Sequence, residues 1–381
     1  MRRLVLLVIL FLLITSSALA SSMQSISLDE SPEDTDNSSY KSYPILNYLY
    51  RFCNFFDRNN FVKQKKIDDN FVFLTEDVEL KDDAFHGSNY LHFTEWWYFD
   101  AILDNGYSVQ VGIRVLSLIN QGLVHLRLDI YKDGELISNE LKSFLIWDFF
   151  TSEEVPLVEL NRNRIMNGYI DKETGDWIYN LDIEFEKTKA DLIFIGCTKG
   201  WKGSTPGGKW AVLLPRAEVN GTITINNNTI NVSGIGYHDH NWDITVFTGI
   251  NFGWYWGKVN SDNFTATWSK IMTTRFWGQP LLVINEKNGE YKNINQENIN
   301  LRIDEITIFQ GMLIPYSFAL DASEENISIH VDMEVFDIHH IRWFGIINYW
   351  RYHIRCRGYI IFESKTELID QVEIAEFIRF R

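Results

Sequence analysis

From residue 71 onward, apolar and polar positions alternate with a period of two, in short runs separated by turn-forming clusters. This is the pattern of strands that bury one face. Residues 96–103 and 107–118 flank Asp104-Asn105-Gly106, and residues 124–131 lead into Lys132-Asp133-Gly134. Both triplets hold residues that tolerate positive φ, so two tight hairpins are predicted. Further strands are predicted over 168–170, 177–185, 192–196, 211–219, 222–225 and 230–236, then over 251–259, 265–272, 281–285, 307–309, 327–335 and 352–363. So many short strands with close turns predict an all-β chain of barrels or sandwiches.

Ahead of this region the pattern changes. Residues 1–20 carry Arg2 and Arg3, an apolar run from Leu4 to Ile14 and the small-residue triplet Ala18-Leu19-Ala20, which together read as a cleavable export signal peptide. The run is well short of the ~20 residues a spanning helix needs, so no stable membrane insertion is expected after cleavage. Residues 21–42, rich in Ser, Asp and Glu, form a solvated linker. Over 44–69, Tyr48, Phe52, Phe55 and Phe56 fall at the spacing of one amphipathic helix. Single cores stop growing near ~250 residues, so two β domains are expected in this chain. The division is signal peptide 1–20, linker plus helix 21–70, first domain 71–243 and second domain 244–381.

Composition narrows the partners. Aromatic residues make up 15% of the chain and include 13 Trp, more ring surface than average cores carry, so part of it lines a site. Barrels of lipocalin size hold one small ligand, and an apolar small molecule is the expected partner. The formal charge is −16 and no basic stripe interleaved with aromatics is present, which excludes nucleic acid as a partner and disfavours anionic lipid. Asn-x-Ser/Thr triplets at Asn37, Asn220, Asn227, Asn231, Asn263 and Asn326 fit a secreted or cell-surface protein. Cys53, Cys197 and Cys356 lack metal-type spacing; one disulfide with an odd thiol, or three buried thiols, are the open readings.

Two segments concentrate chemistry. In Glu95-Trp96-Trp97-Tyr98-Phe99-Asp100, strand alternation puts Glu95, Trp97 and Phe99 on one face and Trp96, Tyr98 and Asp100 on the other. Either way a carboxylate shares a face with large rings, where burial disfavours its charged form and readies it as a general acid. The alternative is a Glu95 paired with Arg114 on the neighbouring strand. The second segment, Tyr237-His238-Asp239-His240-Asn241-Trp242-Asp243, places His238, His240 and Trp242 on one face and Tyr237 and Asp239 on the other. A histidine with a carboxylate neighbour serves as acid or base near neutral pH, or these groups simply satisfy one another's hydrogen bonds. His-x-His also begins some metal sites, but no local spacing supplies further ligands, and neither a metal nor a cofactor is expected. The 200–210 stretch is glycine-rich, yet Lys209 is followed by Trp210 where a phosphate loop needs Ser or Thr, so it is read as a mobile loop laying Trp201 or Trp210 over a cavity mouth, or as an ordinary hairpin loop. Trp254 and Trp256 alternate with Gly253 and Gly257, offering an aromatic row to a ligand or to the core.

Glu95-Trp96-Trp97-Tyr98, the 203–210 loop, Tyr237-His238-Asp239-His240-Asn241-Trp242 and Trp254-Tyr255-Trp256-Gly257, in this order, resemble the AttH/CrtC family of hydroxyneurosporene synthases and carotenoid 1,2-hydratases. The tail from Asn348-Tyr349-Trp350 to Glu363 resembles it more loosely, so the likeness spans roughly 71–365. It implies two tandem lipocalin-like β-barrel or sandwich domains with a ligand at or near their contact, and cofactor-free hydration, cyclisation or isomerisation of an apolar substrate. Such chemistry protonates an alkene, so it needs a carboxylic acid, aromatic faces and exclusion of water. The resemblance nominates Glu95, Asp239 and His240 as catalytic groups. It nominates Trp97, Tyr98, Trp201, Trp210, Tyr237, His238, Trp242, Trp254 and Trp256 as ligand-binding ones. Two departures stand out: Ala266-Thr267-Trp268-Ser269 offers no carboxylate where hydratase members carry one, and Arg351 follows Tyr349-Trp350 where an acidic residue is expected. Either Asp239 or Glu95 takes over proton donation, or the chain is a non-catalytic binding or surface protein. A glycan-binding β-sandwich is a third reading, since sugar sites also stack Trp beside Asp and Asn.

Overall fold

A computed structural model describes residues 71–88, 92–118, 121–244, 253–272, 278–343 and 347–379. The segments expected to form a signal peptide, a linker and the 44–69 helix, together with Cys53, lie outside these residues. Among the described residues the chain forms strands, a few single-turn 3-10 segments and no α-helix. The first thirteen strands are β1 (Thr75–Asp77), β2 (His92–Leu103), β3 (Tyr107–Leu118), β4 (Gln121–Lys132), β5 (Glu135–Leu145), β6 (Phe149–Thr151), β7 (Leu157–Leu160), β8 (Asn163–Ile170), β9 (Trp177–Glu184), β10 (Thr188–Gly196), β11 (Trp201–Thr205), β12 (Gly208–Ile225) and β13 (Asn228–Ile244). They build one antiparallel sheet in the order β5-β4-β3-β2-β13-β12-β10-β9-β8-β7-β6, with β11 pairing both β12 and β1. The second sheet holds β14 (Gly253–Asn260), β15 (Phe264–Met272), β16 (Gly278–Glu286), β17 (Tyr291–Asn293), β18 (Ile299–Phe309), β19 (Met312–Glu324), β20 (Ile327–Trp343), β21 (Ile347–Phe362) and β22 (Lys365–Arg379). Its order is β17-β16-β15-β14-β22-β21-β20-β19-β18. The fold is all-β, as the alternation predicts, and lipocalin-like, as the resemblance implies.

The predicted turns form. Gly106 (φ 79°) closes the β2–β3 hairpin, and Asp133 (φ 52°) with Gly134 (φ 94°) closes β4–β5, conformations that Gly and Asp adopt at little cost. Several predicted short strands are fused into longer ones: 211–219 and 222–225 both lie in β12, and 230–236 runs without a break into the histidine segment in β13. Register shifts near Val212, Leu214 and Ala217 let β12 bend around its own core. Each sheet wraps a separate apolar cluster. The first contains Trp97, Phe99, Ile113, Leu128, Tyr179 and Phe194; the second contains Tyr255, Trp268, Phe318, Trp350, Tyr352 and Phe377.

Residues 200–210 are not a mobile loop over a cavity mouth. They form the β11–β12 hairpin, in which Trp201 and Trp210 are buried edge to face at 5.0 Å and both pack on Phe73. Trp201 Nε1 donates to Asn285 Oδ1 (3.3 Å), so this hairpin also ties the two sheets together. Cys197 and Cys356 are buried free thiols.

Phe99 is fully buried and stacks face to face on His238 at 3.7 Å. Phe99→Ala is expected to cost about 3–5 kcal/mol in urea unfolding, the usual price of an emptied aromatic core site. A loss under ~1 kcal/mol would contradict this packing.

Candidate functional site

Strands β2 and β13 lie side by side, pairing Trp97 with His240, Tyr98 with Asp239, Phe99 with His238 and Asp100 with Tyr237. Because successive side chains leave a strand on opposite faces, this pair divides its polar residues between two environments. Glu95, Trp97, His238, His240 and Trp242 point into the first core. Tyr98, Asp100, Tyr237 and Asp239 point at the second sheet. The three residues nominated as catalytic are thus separated by the backbone of their own sheet: Glu95 and His240 meet, and Asp239 stands on the other side.

The inner group is tightly satisfied. Glu95 accepts from His240 Nε2 (3.0 Å) and from the backbone N–H groups of His86 and Gly87 (2.9 Å each). His240 Nδ1 faces the carbonyl of Asp82 (3.1 Å), so both ring nitrogens meet acceptors. Burial pushes its pKa down, but the Glu95 hydrogen bond and charge outweigh this and hold it above the usual imidazole range. His238 Nε2 lies 2.9 Å from Asp83 Oδ2 and its Nδ1 2.9 Å from the carbonyl of Tyr98. Trp97 stacks on His240 at 4.5 Å, and His86 stacks on Trp242 at 4.1 Å. This network fastens the 80–87 segment across the end of the first core. Glu95 does not pair with Arg114, whose guanidinium lies on the other face, over Trp96 and Trp343.

The seam between the sheets is different. Asp239 accepts from three neutral donors: Trp210 Nε1 (2.9 Å), the Tyr237 hydroxyl (2.8 Å) and Asn241 Nδ2 (3.1 Å). Among the described residues no salt bridge reaches it. Burial is the largest influence on its carboxyl and pushes the pKa up to about 7, against the lowering effect of Trp210 and Tyr237. Facing it from β14, the Trp256 ring lies 5.0 Å from Tyr237 and 5.4 Å from Tyr98. Trp254 stacks on Trp96 at 6.2 Å, extending this wall.

The other seam carboxyls have cations. Asp100 lies 2.6 Å from Lys258 Nζ, which reaches Glu373 at 3.6 Å. Arg351 binds Asp129 (2.6 Å) and the Tyr131 hydroxyl (2.8 Å), and stands 3.6 Å from Glu376. Burial pushes both Glu373 and Glu376 above the usual carboxylate range, while Lys258 and Arg351 respectively pull against it. Sequence reasoning missed Asp129, Glu373 and Glu376. The latter two lie on β22, where residues 373–378 are buried on both faces and show no simple alternation.

No family model matches the chain. A hydroxyneurosporene dehydrogenase of Chlorobaculum tepidum is 24% identical over 285 residues, 62% of this chain and 72% of that protein. The quinolone epoxide rearrangement protein asqO of Emericella nidulans is 34% identical over 58 residues, 15% of this chain and 16% of that one. Among solved structures, an AttH from Nitrosomonas europaea aligns with TM-score 0.59 at 13% identity, covering 79% of this chain and 96% of its own. The chain is AttH/CrtC-like. Kievitone hydratase from Nectria haematococca (TM-score 0.52, 12% identity, 80% and 93% covered) and CghA with Sch210972 (0.54, 9%, 81% and 98%) share the fold.

In this AttH/CrtC-like chain the two departures from the hydratase pattern meet at the seam. Thr267 and Ser269 are buried on β15 on the strand face opposite Trp268 and its core. Arg351 pairs in register with Glu376 of β22, so a carboxyl stands one strand away from the position where an acidic residue was expected.

The ordinary pKa of Asp239 is 3.8 and its folded value about 7, so the unfolded chain ionises first as pH rises. The stability this group contributes is fully present below about pH 4 and lost as pH rises to about 7. Relative to Asp239→Asn, the wild-type chain is expected to lose on the order of 4 kcal/mol across that window in urea titrations. Parallel curves for the two proteins would contradict a proton held at Asp239.

Proposed function

We propose that this chain is a cofactor-independent acid–base enzyme that holds an apolar small molecule at the seam and acts on it as a hydratase, cyclase or isomerase. The observation that carries this reading is Asp239, a buried carboxyl with only neutral hydrogen-bond partners, pushed up to about 7 beside three aromatic rings. Such a group is still about half protonated near pH 7 and can deliver that proton to an alkene or an enol ether. The cation so formed is stabilised by ring faces, and Tyr98, Tyr237 and Trp256 supply them. The Lys258 ammonium 5.6 Å from both the Tyr237 and Trp256 rings supports this reading of those faces. Relatives whose names carry a hydratase and a rearrangement protein support the same class of chemistry. Glu95 and His240, on the inner face, hold the 80–87 segment and position the β2–β13 pair.

We further propose that the chain is exported. The signal-peptide pattern of residues 1–20 supports this, as do the exposed sequon residues Asn220, Asn227, Asn231, Asn263 and Asn326. In secretory eukaryotic cells the mature chain is expected to begin after Ala20 and to gain mobility on glycosidase treatment; retention of Met1 in a cytosolic product would contradict export.

The catalytic reading is tested with hydroxyneurosporene and kievitone as probes in D2O, following conversion and deuterium uptake by mass spectrometry. Asp239→Asn is expected to lower turnover by roughly 10²–10⁴, the usual worth of a general acid. Binding, read from tryptophan fluorescence, is expected to change by only a few fold. Equal turnover in both proteins would contradict the assignment.

A further inference from the structure

We propose that Glu376 is the second proton-transfer group of the seam, taking up a proton from the substrate while Asp239 gives one, so that the net reaction relocates a proton and adds no water. This inference rests on the reading of Asp239 given above and deepens it by choosing isomerisation or cyclisation over hydration.

The placement follows from register. On the second sheet, Glu376 of β22 is directly opposite Trp256 of β14 on one side and Arg351 of β21 on the other. Residues directly opposite one another in antiparallel strands share a face, and neighbouring strands are about 4.8 Å apart, so Trp256, Glu376 and Arg351 form one row. On the first sheet, Tyr98 and Asp239 are directly opposite as well. The two rows face each other: Trp256 touches Tyr98 and Tyr237, the Tyr237 hydroxyl donates to Asp239, and the Tyr98 hydroxyl, which donates to Asp100 Oδ2 at 3.1 Å, lies within reach of Glu376. One carboxyl therefore closes each side of the same aromatic patch.

Their surroundings make them unequal. Glu376 accepts from the Tyr349 hydroxyl and has Arg351 at 3.6 Å, with Arg114 also acting on it electrostatically. Arg351 in turn donates to the Tyr349 hydroxyl at 2.5 Å. Asp239 has Trp210, Tyr237 and Asn241 and feels Glu376 and Asp100 as like charges. Burial pushes both carboxyls up, but Arg351 and the Tyr349 hydroxyl pull Glu376 back while Asp239 has no cation beside it, so Glu376 is assigned as the base and Asp239 as the acid.

The step balances. The Asp239 carboxylic acid protonates one carbon of a C=C bond, leaving a carboxylate and a carbocation. The Glu376 carboxylate then removes a proton from a carbon adjacent to the cationic centre, and the C–H electron pair becomes the new C=C bond. In a cyclising substrate a second alkene first attacks the cation, and the same proton loss follows. The substrate and product are isomers, and the proton left on Glu376 exchanges with solvent before Asp239 is protonated again.

Site-resolved carbon-13 NMR titration of the Asp and Glu carboxyls tests the pairing in the full chain. In Glu376→Gln the Asp239 midpoint is expected to fall, and in Asp239→Asn the Glu376 midpoint is expected to fall by a comparable amount, since coupling between two sites is reciprocal. Tyr349→Phe, which keeps both carboxyls, is expected to raise the Glu376 midpoint by removing its donor. If Asp239 titrates near 7 but neither midpoint responds to the other residue, the Glu376 assignment is overturned while the Asp239 reading stands. If Asp239 titrates near 4, the underlying reading fails first. For any probe converted, reaction in oxygen-18 water is expected to give a product of unchanged mass apart from exchange at carbon; label in the product oxygen would overturn proton relocation.

Discussion

Between the two sheets, the buried cations Lys258 and Arg351 and the half-buried Arg114 and Arg127 share a seam with the carboxyls of Asp100, Asp129, Asp239, Glu373 and Glu376. An unpaired ionised carboxylate is costly to bury, so burial favours the protonated form of a carboxyl that has no cation beside it. The geometry decides which one: Asp129, Asp100, Glu373 and Glu376 each have a cation within 4 Å, and Asp239 has two N–H donors and a hydroxyl. The proton-holding group is thus a consequence of how the sheets pack. It would not exist in either sheet alone.

The same strand pair serves two ends because a strand has two faces. On the inner face, Glu95 and His240 satisfy each other and the backbone of the 80–87 segment, closing the end of the first core with charge-assisted hydrogen bonds. On the outer face, one residue away along β13, Asp239 sits in a patch of rings with neutral donors and no counter-ion.

Much of this was legible in the sequence. The hairpins at Gly106 and Gly134 announced themselves by turn chemistry, and the bounds of β3 followed from the Gly106 turn and the alternation after it. The sorting of His238, His240 and Trp242 to one face and Tyr237 and Asp239 to the other followed from the period of two. Which face would meet a core and which a second sheet did not, because both are lined with rings and alternation carries no direction. Strand β22 escaped because its central residues are buried on both sides, with Glu373 and Glu376 at positions that read as solvent-facing. The 200–210 hairpin looked like a loop through its glycines, although Gly203 is there because Phe73 packs against its Cα. Arg351 looked like a lost acid; its cross-strand neighbour Glu376 shows that long-range register, invisible locally, restores a carboxyl to the same region.

If ligand chemistry takes place at the seam beside Asp239 and outside the first core beside Glu95, a bound ligand must lie against the seam rings. A crystal structure with bound hydroxyneurosporene or kievitone tests it most directly. Ligand density is expected between Trp256 and the Tyr98–Tyr237 rings, with a reactive carbon within reach of the Asp239 carboxyl. Density inside the first core against Trp97 and His240, with the seam rings still in mutual contact, would contradict it.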